Sequence, residues 1–277
     1  MAAATPIAAR ELRDALGTCH EVAPPGAKIV SLVPSITELL FELDLSSSVV
    51  GRTGFCTEPR DRVKRVPRVG GTKTIDLTRL RRLAPTHVIV NIDENPRAAT
   101  EEIARFVPHV IVTHPLAPLD NVALYRLLGG IFGREAQAER LVHAFEQAYE
   151  QARESVRSLP PQGVLYMIWK SPWMTVSADT YISRTLATVG WQTVAPASNA
   201  RYPAFDLTPE FLAGIDLVLL SSEPYSFRER HCDQVRALVP TGSRTRVALI
   251  DGSMTSWYGS RAIEGMRYLG RLRRELS

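Results

Sequence analysis

The stretch from Arg134 to Leu159 constrains the fold of this chain most strongly, because it predicts one unusually long helix. Apolar residues recur at steps of three or four from Leu141 onward, which places them on one stripe of a helix. The stretch contains no Gly or Pro, and about 26 helical residues would span about 39 Å, against about 11 residues for an average helix. Such a rod near the middle of the chain favours a strut between two lobes; the alternative is a long surface helix of a single domain.

The chain on each side of this stretch alternates predicted strands and helices. Lys28–Val33 and Val49–Arg52 are predicted strands of the first half, and Val164–Trp169 and Val247–Ile250 of the second. This alternation is typical of mostly parallel sheets covered by helices. We therefore predict an α/β fold with two mostly parallel α/β lobes joined by one long α-helix. The predicted boundaries are 1–118 for the N-terminal lobe, 119–159 for the linker with the long helix, and 160–277 for the C-terminal lobe.

Two segments resemble each other and support two lobes of similar architecture. Asp76–Asn91 reads DLTRLRRLAPTHVIVN, and Asp206–Ser221 reads DLTPEFLAGIDLVLLS. Each predicts a capped helix followed by a buried strand, and Thr208 with the proline after it is a favourable helix start. An internal duplication would explain the likeness, and so would chance similarity of two helix–strand units.

Three further predictions concern local structure in the first half. Ser35 and Glu38 have the spacing of a capping box, so a helix is expected to begin at Ser35. The stretch 53–74 is rich in Gly, Pro, Thr and charge, which predicts an exposed excursion. The glycines of 129–133 predict a hinge or turn ahead of the long helix.

Composition and motifs exclude several classes of protein. The chain is 45% hydrophobic and 22% charged with a formal charge of +4, and its one basic cluster, RDRVKR from Arg60 to Arg65, gives nucleic-acid binding little support. The three cysteines form no CxxC pair and the six histidines have no ligand spacing, so we expect no metal held by protein side chains. Phosphate-loop, nucleophile-elbow, HExxH and dinucleotide-binding motifs are missing, which argues against an enzyme. No apolar stretch reaches about 18 residues, so no membrane insertion is expected.

The predicted strand ends carry aromatic and polar residues. In parallel α/β sheets ligands lie outside the carboxyl ends of the strands, and rigid aromatic surfaces with a few polar groups suit large flat ligands. Each aromatic residue could instead serve only in packing. Carboxylates at loop ends are commonly only solvated. Cys56 would also fit as a small buried hydrophobe. The candidate ligand-binding residues at these ends are Phe55, Cys56, Asn91, Glu94, Trp169, Trp173, Glu223, Trp257 and Tyr258.

The sequence resembles a known family in several blocks. These are IVSLVPSITELLFELDLSSSVVGRTGFCTEP, VPRVGGTKTIDLTRLRRLAPTHVIVN, the long helix, and MTSWYG near the end. Together they are similar to the cobalamin-type periplasmic binding proteins of ABC importers, which belong to a larger group that binds siderophores, haem and corrinoids. The resemblance runs from about Lys28 to Leu272.

The resemblance implies a corrinoid held in a cleft between the lobes, with only small closure because a single helix joins them. Phe55, Trp173, Trp257 and Tyr258 match positions where aromatic residues face the ligand in that family. Two such positions depart from the pattern. The candidates there are Thr72 or Lys73 in the first lobe and Ala204 or Phe205 in the second.

The resemblance also implies partners and a compartment. The family docks on its permease through one acidic residue on each lobe; Glu210 matches the second, whereas Thr78, followed by arginines, stands at the first. We expect a monomer that binds a small metal chelate and has no cofactor of its own. The resemblance places it in the periplasm, while the missing export signal keeps a cytoplasmic relative open.

Two other functions remain open. One is an iron-siderophore or haem receptor, for which extra Arg, Tyr or His would line the cleft. The other is a tetrapyrrole-processing, chelatase-like enzyme, which needs a His and a carboxylate facing each other.

Overall fold

A computed structural model of the chain describes residues 12–277, and these form two compact units. The first unit runs to His114 and also contains Val122–Val142, whereas the second comprises Pro115–Asn121 and His143–Ser277. Each unit has its own sheet and its own apolar core. The expected lack of an export signal concerns the first residues of the chain, and 1–11 lie outside the described residues.

The first unit is built on a four-stranded sheet in which every pairing is parallel. Its strands are β1 (Ile29–Ser31), β2 (Val49–Arg52), β3 (His87–Asn91) and β4 (His109–Thr113), and their order across the sheet is β2-β1-β3-β4. The helices between them are α1 (Pro34–Glu42), α2 (Arg60–Val63), α3 (Leu77–Arg82) and α4 (Arg97–Ala104). All of β3 is buried, and its valines pack with Val30, Leu80 and Ile103 into one core.

Two helices follow β4 and lead from the first unit into the second. They are α5 (Asp120–Ile131) and the long helix α6 (Glu135–Ser155). The predicted fold of two mostly parallel α/β lobes joined by one long helix is thereby confirmed.

The second unit contains a six-stranded sheet of mixed direction. Its strands are β5 (Gln162–Trp169), β6 (Trp173–Thr175), β7 (Trp191–Thr193), β8 (Ala204–Phe205), β9 (Leu217–Ser221) and β10 (Arg246–Ile250). Its helices are α7 (Tyr181–Ala187), α8 (Pro209–Leu212), α9 (Glu229–Arg236), α10 (Gly252–Ser256) and α11 (Arg261–Glu275). The strands β10, β9, β5 and β7 are parallel to one another, whereas β6 is antiparallel to both of its partners, β5 and β8.

The long helix is shorter than predicted at both ends. It has 21 residues, about 32 Å at about 1.5 Å per residue. Arg134 lies one residue before the helix. Its carbonyl oxygen accepts a hydrogen bond from the Ala138 amide, and this is its only part in the helical hydrogen-bond pattern. Beyond Ser155 the amides of Val156 and Arg157 bond to carbonyls three residues back, which is the tighter geometry of a fraying last turn.

Among the three local predictions of the first half, the start of α1 needs correction, whereas the predicted turn ahead of the long helix is found at Gly133. Helix α1 begins at Pro34, ahead of Ser35, because proline is favourable in a first turn; Ser35 is buried, and its hydroxyl caps no backbone amide. Gly129 lies inside α5, where a Cβ would come within 2.5 Å of the Ala138 Cβ, so close packing of α5 on α6 explains it. The turn ahead of α6 is at Gly133, which has a φ of 62°.

The stretch 53–74 is less exposed than predicted. It contains α2, and Val63, Val66 and Val69 are buried against the first unit. The Arg52 side chain, itself buried, ties the stretch down by donating to the carbonyl oxygens of Val63 and Cys56 at 2.9 and 3.0 Å.

Helices α10 and α11 pack so closely that glycine is needed between them. A methyl group at Gly265 of α11 would overlap the carbonyl oxygen of Met254 in α10. The Met254 backbone cannot move aside as a flexible side chain could. The close contact therefore holds α10 in one position on α11.

We predict that Gly265→Ala destabilises the protein by about 1–3 kcal/mol, because overpacking outweighs the gain in helix propensity of about 1 kcal/mol. Urea unfolding followed by circular dichroism measures the change. Gly214→Ala is the matched control, because a Cβ at Gly214 meets no atom within 4 Å and should change stability by no more than about 0.5 kcal/mol. Equal stability of the two variants would contradict the close packing of α10 on α11.

Candidate functional site

The carboxyl ends of β5, β9 and β10 lie at one edge of the second unit's sheet, because these three strands are parallel. Strand β5 ends at Trp169, β9 is followed by Glu223, Tyr225 and Phe227, and β10 is followed by α10 and Trp257. Strand β6 begins at the same edge with Trp173, since it returns antiparallel to β5. Trp169, Trp173, Glu223 and Trp257 are candidates that the sequence assigned to strand ends. The strand topology brings all four to one edge of this sheet.

The first group at this edge is a set of aromatic rings in mutual contact. The Trp169 ring meets Tyr225 edge-on with centroids 5.5 Å apart, and Trp173 stacks on Phe227 at 6.1 Å with an angle of 2° between the ring planes. Tyr225 and Phe227 lie 4.6 Å apart and join the two pairs. Trp169 is 40% exposed, Trp173 and Tyr225 are half-buried against the core, and Phe227 is 4% exposed, so the open aromatic face of this group is that of Trp169. We call Trp169, Trp173, Tyr225 and Phe227 the aromatic group.

Cationic side chains border the aromatic group. The Lys170 ammonium lies 5.4 Å above the Trp173 ring. His231 packs edge-on against both Tyr225 and Phe227, with each pair of centroids 5.5 Å apart. Its pKa lies below the ordinary value because of burial first, then the charges of Arg230, Lys170 and Arg228. This part of the edge is therefore electropositive.

The second group at the edge consists of Glu223, Trp257 and Arg261. Glu223 accepts a hydrogen bond from the Trp257 side chain, and the Arg261 guanidinium lies 5.0 Å from the centroid of the same indole ring. Burial raises the pKa of Glu223, and the charge of Asp251 raises it further, whereas Trp257 and Arg261 lower it. Here a carboxylate is partly removed from water beside an aromatic face.

Tyr258 is placed differently from its neighbour Trp257. It is 6% exposed and meets Tyr181 edge-on at 5.8 Å. Asn121 donates to the Tyr181 hydroxyl at 3.0 Å and accepts from the Gly259 amide at 2.6 Å. These bonds explain why Pro115–Asn121 groups with the second unit, although the sequence assigned residues up to 118 to the first. Tyr258 packs in this core.

In the first unit, Phe55 and Cys56 follow β2 with opposite exposure. Phe55 is 63% exposed, and its ring lies against Gly71, where an added Cβ would be 3.2 Å from the Phe55 Cε2. Cys56 is 1% exposed; its sulfur accepts from the Thr37 hydroxyl at 3.0 Å and lies 3.2 Å from that of Thr53. Burial raises the pKa of the Cys56 thiol despite these bonds, which disfavours the thiolate. Cys56 therefore fits the buried alternative.

The residues that follow β3 form a hydrogen-bonded turn. Asn91 is buried: its amide nitrogen donates to the Thr113 carbonyl, and its oxygen accepts from the amides of Asp93 and Glu94. Lys73 is exposed, and its ammonium donates to the Asp93 carbonyl oxygen at 2.7 Å. Asn91 therefore shapes this loop, whereas Lys73 is exposed and Thr72 and Glu94 are half-buried.

The last two candidates lie on the side of the second unit that carries β8 and α8. Phe205 packs against Phe211 with ring centroids 5.1 Å apart, and it is half-buried against the core. Glu210 is exposed in the first turn of α8, where its own backbone amide and Thr208 lower its pKa. In the first unit, Thr78 is exposed in the first turn of α3.

Comparison with known proteins gives the family. The family model described as "Periplasmic binding protein" matches residues 29–213. The chain belongs to this family. The match confirms the resemblance to periplasmic binding proteins of ABC importers, and it confirms a transport binding protein in place of an enzyme.

Individual relatives of this periplasmic binding protein differ in ligand. It is 18% identical over 202 residues, 73% of each chain, to the vitamin B12-binding protein of Photorhabdus laumondii. Its structure is similar to the periplasmic vitamin B12 binding protein BtuF of Vibrio cholerae, with a TM-score of 0.75, 14% identity, and coverage of 90% of this chain and 97% of the other. It is also similar to the periplasmic heme-binding protein RhuT from Roseiflexus sp. RS-1, with a TM-score of 0.77, 22% identity, and coverage of 90% and 98%.

Two absences hold for the described part of this binding protein. Across residues 12–277, no three His, Cys, Asp or Glu side chains are grouped to hold a metal ion. Within the same residues, no helix is both long enough and apolar enough to cross a membrane.

Sequence reasoning missed the cations of this binding protein's candidate site. Arg261 follows Trp257 by four residues, but the turn at Gly259 separates them, so no helical spacing linked them in advance. Lys170 adjoins Trp169 in sequence, and its contact with Trp173 depends on the unpredicted hairpin of β5 and β6. Tyr225 and Phe227 are absent from the predicted set, although their alternation after β9 was a usable signal.

We predict that the free energy of unfolding of the Glu223→Gln variant increases relative to that of the parent protein as pH rises. A raised carboxyl pKa means that the folded state binds more protons than the unfolded state, so stability falls as pH rises from the ordinary carboxyl pKa through the raised one. Glutamine does not ionise and lacks this penalty. Free energies of unfolding in urea, measured from about pH 4 to about pH 8, give the difference between the proteins. A difference that is constant over this range would show that Glu223 is not desolvated.

Proposed function

We propose that this binding protein holds a corrinoid of the cobalamin type and delivers it to an ABC permease. The observation that carries the proposal is the exposed Trp169 ring at the carboxyl end of β5, in contact with the half-buried Tyr225 after β9, with the Glu223 and Trp257 pair at the same edge. Aromatic faces with few polar groups are how concave sites bind large flat ligands. The sequence relationship to a vitamin B12-binding protein supports the same ligand.

The carboxylates near Trp257 favour a corrinoid over haem at this position. The charge of Asp251 lies close enough to Glu223 to raise the pKa of that carboxyl further. The side chains of a corrinoid are mostly uncharged amides that donate hydrogen bonds, whereas haem carries propionates that these carboxylates would repel. The Glu223 region therefore suits an uncharged ligand edge.

For delivery, we propose that Glu210 contacts the permease. It is exposed, stays charged because its pKa is lowered, and lies on α8, whose Thr208 hydroxyl accepts from the Phe211 amide. In the first unit the corresponding helix α3 carries exposed Thr78, Arg79 and Arg82. The partner would therefore meet an acidic side chain on α8 and cations on α3.

We predict that cyanocobalamin binds the purified protein and that Trp257→Ala weakens the binding by about 2 kcal/mol, or about thirtyfold, as expected when a buried aromatic anchor is removed. Isothermal titration calorimetry measures both affinities. Leu249→Ala is the control, because Leu249 is an exposed apolar residue of β10 and is 39% exposed. No heat at saturating cyanocobalamin would refute the proposed ligand, and equal affinities of the parent and Trp257→Ala would refute the site.

Haem is the second candidate, and the cations around the aromatic group favour it. Lys170, Arg228 and Arg230 are close enough to affect His231, and they would pair with propionates.

If haem is the ligand, we predict that Arg228→Ala weakens haem binding by about fivefold, or about 1 kcal/mol, because one charge-assisted contact is lost. Absorbance titration with haemin, in parallel with cyanocobalamin, makes the comparison. Arg244→Ala, a change at a cation in the loop before β10, serves as the control. Tighter binding of cyanocobalamin than of haemin by the parent protein would exclude haem as the preferred ligand.

A further inference from the structure

The backbone that carries Trp257 is fixed on two sides. Trp257 ends α10, and its amide donates to the Ser253 carbonyl at 3.2 Å. The start of α10 is pressed onto the segment after β9, because a Cβ at Gly252 would come within 2.6 Å of the Glu223 Cγ. The Gly252 amide also donates to the Ser222 hydroxyl at 2.9 Å. Glu223 and Trp257 are therefore parts of one packed unit.

The Trp257 side chain is held by two oppositely charged groups. The indole N–H is the only hydrogen-bond donor of a tryptophan side chain, and the Glu223 carboxylate accepts from it. The Arg261 guanidinium, 5.0 Å from the ring centroid, contacts the indole in cation–π geometry. An N–H bond fixes the rotation of the ring in its plane, whereas a cation above the face restricts its tilt.

We propose that Glu223 and Arg261 are positioning residues that lock the Trp257 indole in its ligand-binding orientation before the ligand arrives. The inference rests on the proposed function for its ligand, while the orientation of the indole can be tested without one. Pre-organisation of this kind raises affinity because the ring is already ordered in the free protein.

The state of the Glu223 carboxylate argues for such a role. Its Oε1 is buried and has no hydrogen-bond partner among the residues that the structure describes. A partly satisfied buried carboxylate disfavours folding, so packing alone would be served better by an apolar residue. Orienting the indole N–H supplies a reason for a carboxylate here that packing does not.

The experiment combines ¹⁹F NMR of protein labelled with 5-fluorotryptophan and cyanocobalamin titration. The chain has four tryptophans, and Trp257→Phe identifies the Trp257 resonance. In the free protein, Glu223→Ala and Arg261→Met should each shift and broaden that resonance, whereas the other three should stay in place. Glu223→Gln keeps one acceptor oxygen and should largely restore the line. Glu264→Ala, at an exposed glutamate of α11 that pairs with Arg267, is the control and should leave the line unchanged.

A double-mutant cycle separates positioning from direct contact. Glu223→Ala should weaken cyanocobalamin binding about tenfold in the parent but less than about twofold in the Trp257→Phe background, because phenylalanine offers no N–H to hold. Glu223→Gln in the parent should stay within about threefold of the parent affinity, since an acceptor remains.

The outcomes are distinguishable. An equal loss of affinity from Glu223→Ala in both backgrounds would overturn the positioning role, because Glu223 would then act on the ligand or the fold directly. An unchanged Trp257 resonance in both Glu223→Ala and Arg261→Met would overturn it as well. Absence of cyanocobalamin binding by the parent would instead refute the proposed ligand, and the ¹⁹F comparison would still decide whether the indole is held.

Discussion

The parallel pairing of β5, β9 and β10 is the constraint on which the candidate site depends. Val164 pairs with Leu217, and Leu217 pairs with Arg246, so the three strands start in step and finish at the same edge. Because of that register, a tryptophan ending one strand, a glutamate following the second and a helix following the third lie together. Reversal of any one strand would carry its terminal residues to the far edge of the sheet.

The apolar content of these strands is what enforces the register. Strand β9 reads LVLLS and is buried along its whole length, and Val218 and Leu220 pack in the same core as Leu165 and Met167. At about 25 cal/mol per Å² of apolar area, exposing even one such side chain costs about 1.5–3 kcal/mol. The polar end of the strand is satisfied locally, since Ser221 accepts from the Tyr166 hydroxyl at 3.0 Å and donates to the Glu223 carbonyl. The strand is thus fixed up to the residues that form the site.

Elements with a strong local signal could be predicted from the sequence, and those that depend on distant contacts could not. The apolar runs of β3 and β9 and the Thr208 cap of α8 are encoded within a few residues each. Strands β6, β7 and β8 have two or three residues, too few for any periodicity, and they exist because β5 pairs with β6 and β7 and because β6 in turn pairs with β8. Helix α10 owes its place to Gly252 and Gly265, whose close contacts cannot be read from the chain.

The same distinction applies to the candidate site. Exposed aromatics at strand ends, such as Trp169 and Phe55, follow from the order of strands and loops along the sequence. The burial of Cys56 and Tyr258 does not, because each depends on side chains far away in sequence, such as Thr37 and Tyr181. The contact between Glu223 and Trp257 could likewise be predicted only if β9 and β10 were known to be adjacent strands.

Charge divides this edge of the second unit into two parts, and the division bears on the ligand. Lys170 lies above the Trp173 ring, and Arg228 and Arg230 lie near His231, which packs on the aromatic group, whereas Glu223 and Asp251 lie beside Trp257. A ligand with anionic groups on one side only would place that side at the first part and its uncharged side at the second. A corrinoid carries a single phosphate and otherwise uncharged amides, so it can present its anion to the cations and its uncharged edge to the part that carries the carboxylates. Under the proposed function, the two parts would therefore set the direction in which the ligand lies across the edge, and the aromatic faces would supply most of the contact area.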